Sequence, residues 1–211
     1  MSFLNAEEPN VVDLIVDFGL ELLWHPSLGM ELGDNATRIF TDCATGARPL
    51  DIFVLEGTVI RGPDGSGSMD MFAGRPMLEW VTELSAAASI VVAIGDCACW
   101  GGIPAAAPNP SDSTGLQFHK RERGGFLGPH WRSKSGLPVI NIPGCPAHPD
   151  WITQILVALA TGRAGSVAII TPFLDRLAFQ RMLTGVHRVL QGARLDLLVH
   201  CTGDPSDPHP V

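Results

Sequence analysis

Two apolar, β-branched runs, residues 90–94 and 137–142, each break into a Gly/Pro-rich turn that carries a cysteine. The first turn reads Gly95-Asp96-Cys97-Ala98-Cys99-Trp100-Gly101-Gly102-Ile103-Pro104 and the second Ile142-Pro143-Gly144-Cys145-Pro146-Ala147-His148-Pro149-Asp150-Trp151. Short continuous apolar runs suit strands buried on both faces. Open α/β sheets gather their functional groups in the loops at the C-terminal ends of such strands. The chain is thereby confined to α/β architectures with Cys97 and Cys145 as candidate ligands at one sheet edge.

Hydrophobic period places the other elements. Asn5, with Glu8 three residues on, resembles a capping box, and Val11, Val12, Leu14, Ile15 and Phe18 continue it as an amphipathic helix over 5–18. A strand at 20–24, a helix at 31–43, a buried strand at 52–55 and a long helix at 69–88 follow. After the strands at 90–94 and 137–142 comes a helix at 149–161. The order is that of a doubly wound, flavodoxin-like α/β fold with a parallel sheet and right-handed crossovers. A flavodoxin-type sheet begins with an interior strand, whereas this chain opens on a helix, so the first strand is expected to be missing and the chain alone to be marginally stable. The segment 101–136, rich in Pro, Gly, Ser and Asn, is too long for a mere connection and reads as functional or partner-facing.

Charge narrows the function classes. Residues 1–100 hold 4 basic against 15 acidic side chains and residues 101–211 hold 10 against 7, for a net charge of -8. Without a basic face, nucleic acid is not expected as a partner. Glu122 interrupts the cluster Lys120, Arg121, Arg123, which reads as a solvated loop. No apolar run is long enough for a membrane span, and the acidic start lacks the basic region of a secretory signal, so a cytoplasmic location is expected. Five cysteines, at 43, 97, 99, 145 and 201, form no evident disulfide framework and fit reduced, metal-binding thiols better.

A lone cysteine is usually a small buried apolar residue. Cys97 and Cys145 are flanked instead by Gly and Pro in strand-end loops, where the backbone can approach a cluster closely. Iron-sulfur clusters take Cys thiolates, commonly four, from distant loops. Zinc more often uses paired Cys-x-x-Cys knuckles, which are absent. The glycine-rich run Gly62-Pro63-Asp64-Gly65-Ser66-Gly67 has no Lys-Ser/Thr ending and enters no helix at once, so a nucleotide or flavin binder is the weakest reading.

The two cysteine motifs resemble the proximal-cluster motifs of the small subunit of nickel-iron hydrogenases. Leu23-Trp24-His25-Pro26-Ser27-Leu28 and Val54-Leu55-Glu56-Gly57 add to the resemblance, which covers about residues 1–165 and is nearest to the cytoplasmic uptake type. It implies an oxidoreductase active only with a large subunit that holds the nickel-iron centre. It implies an electron-transfer role for this chain, with Cys97 and Cys145 as two of the four ligands of a proximal [4Fe-4S] cluster. The family supplies the other two from a Cys-x-x-Cys after its first strand. That motif is absent here, and Met1 to Glu8 resembles the sequence that follows it, so the chain is expected to start just past it. An inactive fragment or scaffold remnant is the alternative.

The resemblance also makes Glu56 a possible proton relay. Cys99 stands where the family has a small residue and reads as a neutral thiol. His25 and His148 are expected to satisfy backbone groups, and Trp100 and Trp151 to shield the site and pack against a partner. Cys43 and Cys201 read as buried or incidental thiols. Two domains are expected, a proximal-cluster domain at 1–165 and a divergent segment at 166–211. In the latter, strands at 167–170 and 195–199 flank a helix at 174–190, followed by a disordered tail from Gly203; His187, His200 and His209 are widely spaced.

Overall fold

The computed structural model describes residues 2–161. A 3-10 turn at Ser2–Asn5 precedes α1 (Val11–Val16), α2 (Asp34–Thr45), β1 (Ile52–Glu56), β2 (Val59–Ile60), β3 (Met71–Phe72), β4 (Arg75–Pro76) and α3 (Met77–Ala87). β5 (Ile90–Ile94), α4 (Gly95–Trp100), β6 (Ser113–Thr114), β7 (Phe118–His119), β8 (Glu122–Arg123), β9 (Ile140–Ile142) and α5 (Pro149–Ala160) complete the described chain. The 165/166 domain boundary and everything read from 166–211, Cys201 included, lie outside the described residues.

The densest β-branching falls on the central strand, four of whose five residues are buried. β5 spans the expected residues and is the middle of a three-stranded parallel sheet ordered β1-β5-β9. Its register runs Ile52↔Ile90 to Glu56↔Ile94 on one side and Val92↔Ile140 to Ile94↔Ile142 on the other. Alternation across the strand divides the core. Val91 and Ala93 face Val81 of α3 with Ala88, Leu116 and Val139. Val92 and Ile94 face Leu14 of α1 and Ile152, Leu156 and Leu159 of α5. Covered on both faces, the sheet is the doubly wound α/β arrangement expected.

β1 pairs with β5 over five residues, and its other edge pairs with no strand among the described residues. Nor is 20–24 a strand among the described residues; Leu20 and Leu23 instead pack at the margins of the core.

Several boundaries move for identifiable reasons. The cap of α1 is Asn10, not Asn5: the Val12 and Asp13 amides donate to Asn10 Oδ1 at 2.8 and 3.2 Å, and the Asn10 amide donates to Asp13 Oδ2 at 2.8 Å. Glu8 precedes Pro9, and the residue before proline is pushed out of the helical region. On α2, Ala36, Ile39, Phe40 and Cys43 form the inward stripe, so Cys43 is a buried thiol as expected. The long helix read over 69–88 begins only at Met77, because Ala73 and Gly74 adopt positive φ and fold the preceding residues into the β3–β4 hairpin. β9 is shorter than 137–142: Pro138 has no amide to give, and the Val139 amide donates to Gln117 Oε1 at 3.0 Å rather than to a ladder.

The 101–136 segment is less open than its composition implies. β2 pairs with β6, and Leu116 and Phe118 are buried while Phe126 and Trp131 pack against the α3 side of the core. Lys120, Arg121, Glu122 and Arg123 are exposed on the β7–β8 hairpin, as the solvated reading expects.

Candidate metal centre

All three strands of the sheet end at one edge, and each delivers a candidate residue there. Glu56 is the last residue of β1, opposite Ile94. Two residues past the Ile94↔Ile142 pair, Asp96 and Gly144 meet: the Asp96 amide donates to the Gly144 carbonyl at 3.0 Å, and the Gly144 amide donates to Asp96 Oδ1 at 2.8 Å. Cys97 and Cys145 are the next residue on each branch. The structure therefore brings together the two cysteines that the sequence singles out, 48 positions apart.

Local backbone geometry differs from a simple turn. Cys97 lies within α4, a six-residue helix that starts where Gly95 swings to positive φ. A helix separates residues two apart by about 200°, which directs Cys99 away from Cys97. Cys99 is wholly buried, its Sγ 3.5 Å from the Ala93 carbonyl. It is a neutral core thiol, as expected. Cys97 is half-buried and Cys145 exposed.

Gly102 forms the floor of the site. At φ +54°, a Cβ placed there would stand 2.7 Å from Cys97 Sγ, so no larger residue fits without displacing the sulfur. The loop after β9 needs glycine as well, since Gly144 sits at φ +128° and an added Cβ would meet the Pro146 carbonyl at 2.7 Å.

The electrostatics follow from position. Burial pushes the Cys97 thiol up, the nearby Cys145, Asp96 and Glu56 add to this, and the Ile103 amide, hydrogen-bonded to Cys97, pulls it the other way. An amide aimed at a sulfur is a group that favours thiolate, and with it metal ligation. His25 is held below the ordinary imidazole value, mainly by burial, with Glu56 opposing the shift. Glu56 thus acts on both His25 and Cys97.

The expected supporting roles are met in part. His25 Nδ1 accepts from the Ser27 amide at 3.0 Å, as anticipated. His148 satisfies no backbone group: its buried Nδ1 has no hydrogen-bond partner among the described residues, 4.0 Å from Asp150 Oδ2, and its ring stacks on Trp151 with centroids 5.5 Å apart. Asp150 Oδ1 in turn accepts from the Glu7 amide at 2.8 Å. Trp100 Nε1 donates to Asp96 Oδ1 at 3.1 Å and its ring packs on Phe118. Sequence reasoning missed Asp96 and Gly102 as site residues; the acidic residue between a strand-end glycine and a cysteine was the available signal.

Two thiols, an amide directed at one of them and a floor that admits only glycine fit two ligand positions of an iron-sulfur cluster. Among the described residues no group of three or more His, Cys, Asp or Glu side chains is placed to hold a metal ion.

The buried thiols make a pH prediction. Cys43 and Cys99 are pushed up, in both cases chiefly by burial. Folded values above the unfolded one mean that their contribution to stability is complete below the ordinary thiol value of about 8.5 and is lost as pH rises above it. The urea midpoint of the metal-free full chain is expected to fall between about pH 8 and pH 10, and alkylation should reach Cys145 well before Cys99. A flat midpoint across that range would contradict the burial assigned to both thiols.

Residues 1–159 match the family described as NADH ubiquinone oxidoreductase, 20 kDa subunit. The chain is similar to the F420 non-reducing hydrogenase II small subunit of Methanosarcina mazei, 35% identical over 178 residues covering 77% of this chain and 45% of that protein. It is also similar to the Hydrogenase-1 small chain of Escherichia coli, 29% identical over 160 residues, 76% of this chain and 38% of that one. Among solved structures, an actinobacterial-type NiFe-hydrogenase from Ralstonia eutropha H16 superposes with a TM-score of 0.65 and 30% identity, covering 82% of this chain and 51% of that one. The recombinant [NiFeSe] hydrogenase of Desulfovibrio vulgaris Hildenborough gives 0.62 and 28%, over 81% and 60%. The chain spans less than half the length of the two curated relatives.

Proposed function

Since the chain belongs to the family of the 20 kDa subunit of NADH ubiquinone oxidoreductase, we propose that it acts as the electron-transfer small subunit of a nickel-iron hydrogenase. Cys97 and Cys145 are two ligands of its proximal [4Fe-4S] cluster, and the remaining ligands come from outside the described residues. The convergence of both thiols one residue beyond the Asp96–Gly144 pair carries this reading. The likeness to the M. mazei and E. coli hydrogenase small subunits supports it.

An iron-sulfur cluster, when bound, supplies one-electron transfer, here away from a nickel-iron centre on a separate large subunit. The chain's own residues bind and orient. Cys97 and Cys145 ligate as thiolates, the Ile103 amide holds the Cys97 sulfur, and Glu56 takes and releases a proton at its carboxylate beside His25. Ile103 is 80% exposed although apolar and lies directly after the Gly102 floor, which suits it to the large-subunit face. In the same reading the chain works in the cytoplasm, where thiols stay reduced; no described helix is long and apolar enough to cross a membrane.

Anaerobic purification of the full chain from its native source tests the proposal. Iron and acid-labile sulfide should travel with the chain, nickel with a co-purifying large subunit, and the preparation should reduce a dye with hydrogen. A chain without iron and without a nickel-bearing partner leaves the inactive fragment or scaffold remnant. That second reading is favoured by one observation, the lack of a third ligand among the described residues. A flavin or nucleotide binder gains nothing, since the Gly62–Gly67 loop is tied back to Ser111 and leads into the β3–β4 hairpin rather than a helix.

A further inference from the structure

We infer that Asp96 is the positioning residue of the two-cysteine site, a clasp that holds the Cys97 and Cys145 loops together and places a fixed negative charge beside them. The parallel ladder ends at Ile94↔Ile142. Past that point the chain leaves the extended conformation at Gly95 and enters α4, so the ladder itself no longer keeps the two loops in register. Asp96 takes over at the next pair, two residues beyond on both strands. Its amide donates to the Gly144 carbonyl at 3.0 Å, and its Oδ1 accepts from the Gly144 amide at 2.8 Å. Both polar groups of the Gly144 residue are thereby satisfied by one partner.

The carboxylate is itself held. Trp100 Nε1 donates to the same Oδ1 at 3.1 Å, fixing the rotamer from one turn further along α4. Two donors converge on one oxygen, and hydrogen bonds to a carboxylate are stronger than those between neutral groups. Since Cys97 and Cys145 are the immediate successors of the clasped residues, the separation of their sulfurs is set largely by this contact. An aliphatic residue at 96 would keep the backbone bond and lose the side-chain one. Asparagine would keep both acceptor contacts and lose the charge.

The positional part of the inference stands on the apoprotein; the part concerning charge rests on the cluster reading above. The full chain, reduced and anaerobic, is treated with phenylarsine oxide, which bridges two thiols only when they lie side by side, and the bridged cysteines are located by peptide mass analysis. Wild type and Asp96→Asn should bridge Cys97 to Cys145, whereas Asp96→Ala should bridge them more slowly by roughly tenfold or more, because the effective concentration of one thiol at the other falls. Matching far-ultraviolet circular dichroism shows that each variant is folded. Bridging in Asp96→Ala at the wild-type rate, or none in wild type, overturns the clasp.

The second measurement is on the iron-loaded full chain in its complex. Asp96→Asn should retain iron and show a raised cluster midpoint potential, as removal of a neighbouring negative charge favours the reduced form. An unchanged potential overturns the charge role. If Asp96→Ala does not fold, the Asn variant decides alone: it must bridge like wild type and shift the potential, and failure of either overturns the inference. Bridging as expected in a chain that never takes up iron leaves the clasp intact and refutes the cluster reading instead.

Discussion

Trp80→Ala is expected to lower the unfolding free energy of the full chain by about 3 to 5 kcal/mol, the range for truncating a buried aromatic residue. Trp80 is 1% exposed and fills the space between α2 and α3 beside Cys43 and Leu84. Its ring meets Phe40 edge-on at 5.7 Å and carries the Arg75 guanidinium at 4.3 Å on its face. Its Nε1 donates to the Phe72 carbonyl at 3.0 Å, which ties α3 to the β3–β4 hairpin. Truncation therefore removes the packing, the ring contacts and the tie together. Trp80→Phe keeps most of the volume but loses the hydrogen bond and the five-membered ring, so it should cost less, about 1 to 2 kcal/mol. Urea melts of both variants against wild type test this. Equal costs for Phe and Ala would mean that the hydrogen bond, not the packing, dominates.

Cys97→Ala and Cys145→Ala should each remove the iron-sulfur signal from the complex while leaving the chain folded. The two thiols point away from the core, Cys145 being exposed and Cys97 half-buried, so neither deletion opens a large cavity. A cluster that loses one thiolate has no neighbouring replacement among the described residues, because the nearest other cysteine, Cys99, is buried against the Ala93 carbonyl. Cys99→Ala is the matched control. It should keep its iron and lose stability instead, by about 1 kcal/mol for a small buried side chain. Iron content unchanged in either Cys97→Ala or Cys145→Ala would remove the ligand assignment, and loss of iron in Cys99→Ala would reassign it.

Legibility in the sequence tracked how local the deciding interaction is. β5 was readable to the residue, since five consecutive apolar side chains leave no alternative to burial on both faces. The start of α1 was misread because two cap patterns compete within six residues, Asn5-Glu8 and Asn10-Asp13, and the restriction imposed by Pro9 selects the second. The β3–β4 hairpin was hidden inside a helical pattern, and only the Ala73-Gly74 turn reveals it. The shortening of β9 could not be foreseen at all, as the group that takes the Val139 amide is Gln117, 22 positions earlier.

The same division applies to the centre. Composition, spacing and the strand-end turns were enough to bring Cys97 and Cys145 forward as candidate ligands and to assign the doubly wound parallel sheet, because apolar periodicity and glycine-rich breaks are properties of single segments. The pairing order β1-β5-β9, the Asp96–Gly144 clasp and the Gly102 floor beneath the Cys97 sulfur were decided only in three dimensions. Each depends on hydrogen bonds or steric contact between groups that the sheet register brings together, and register is a relation between strands that no one strand encodes.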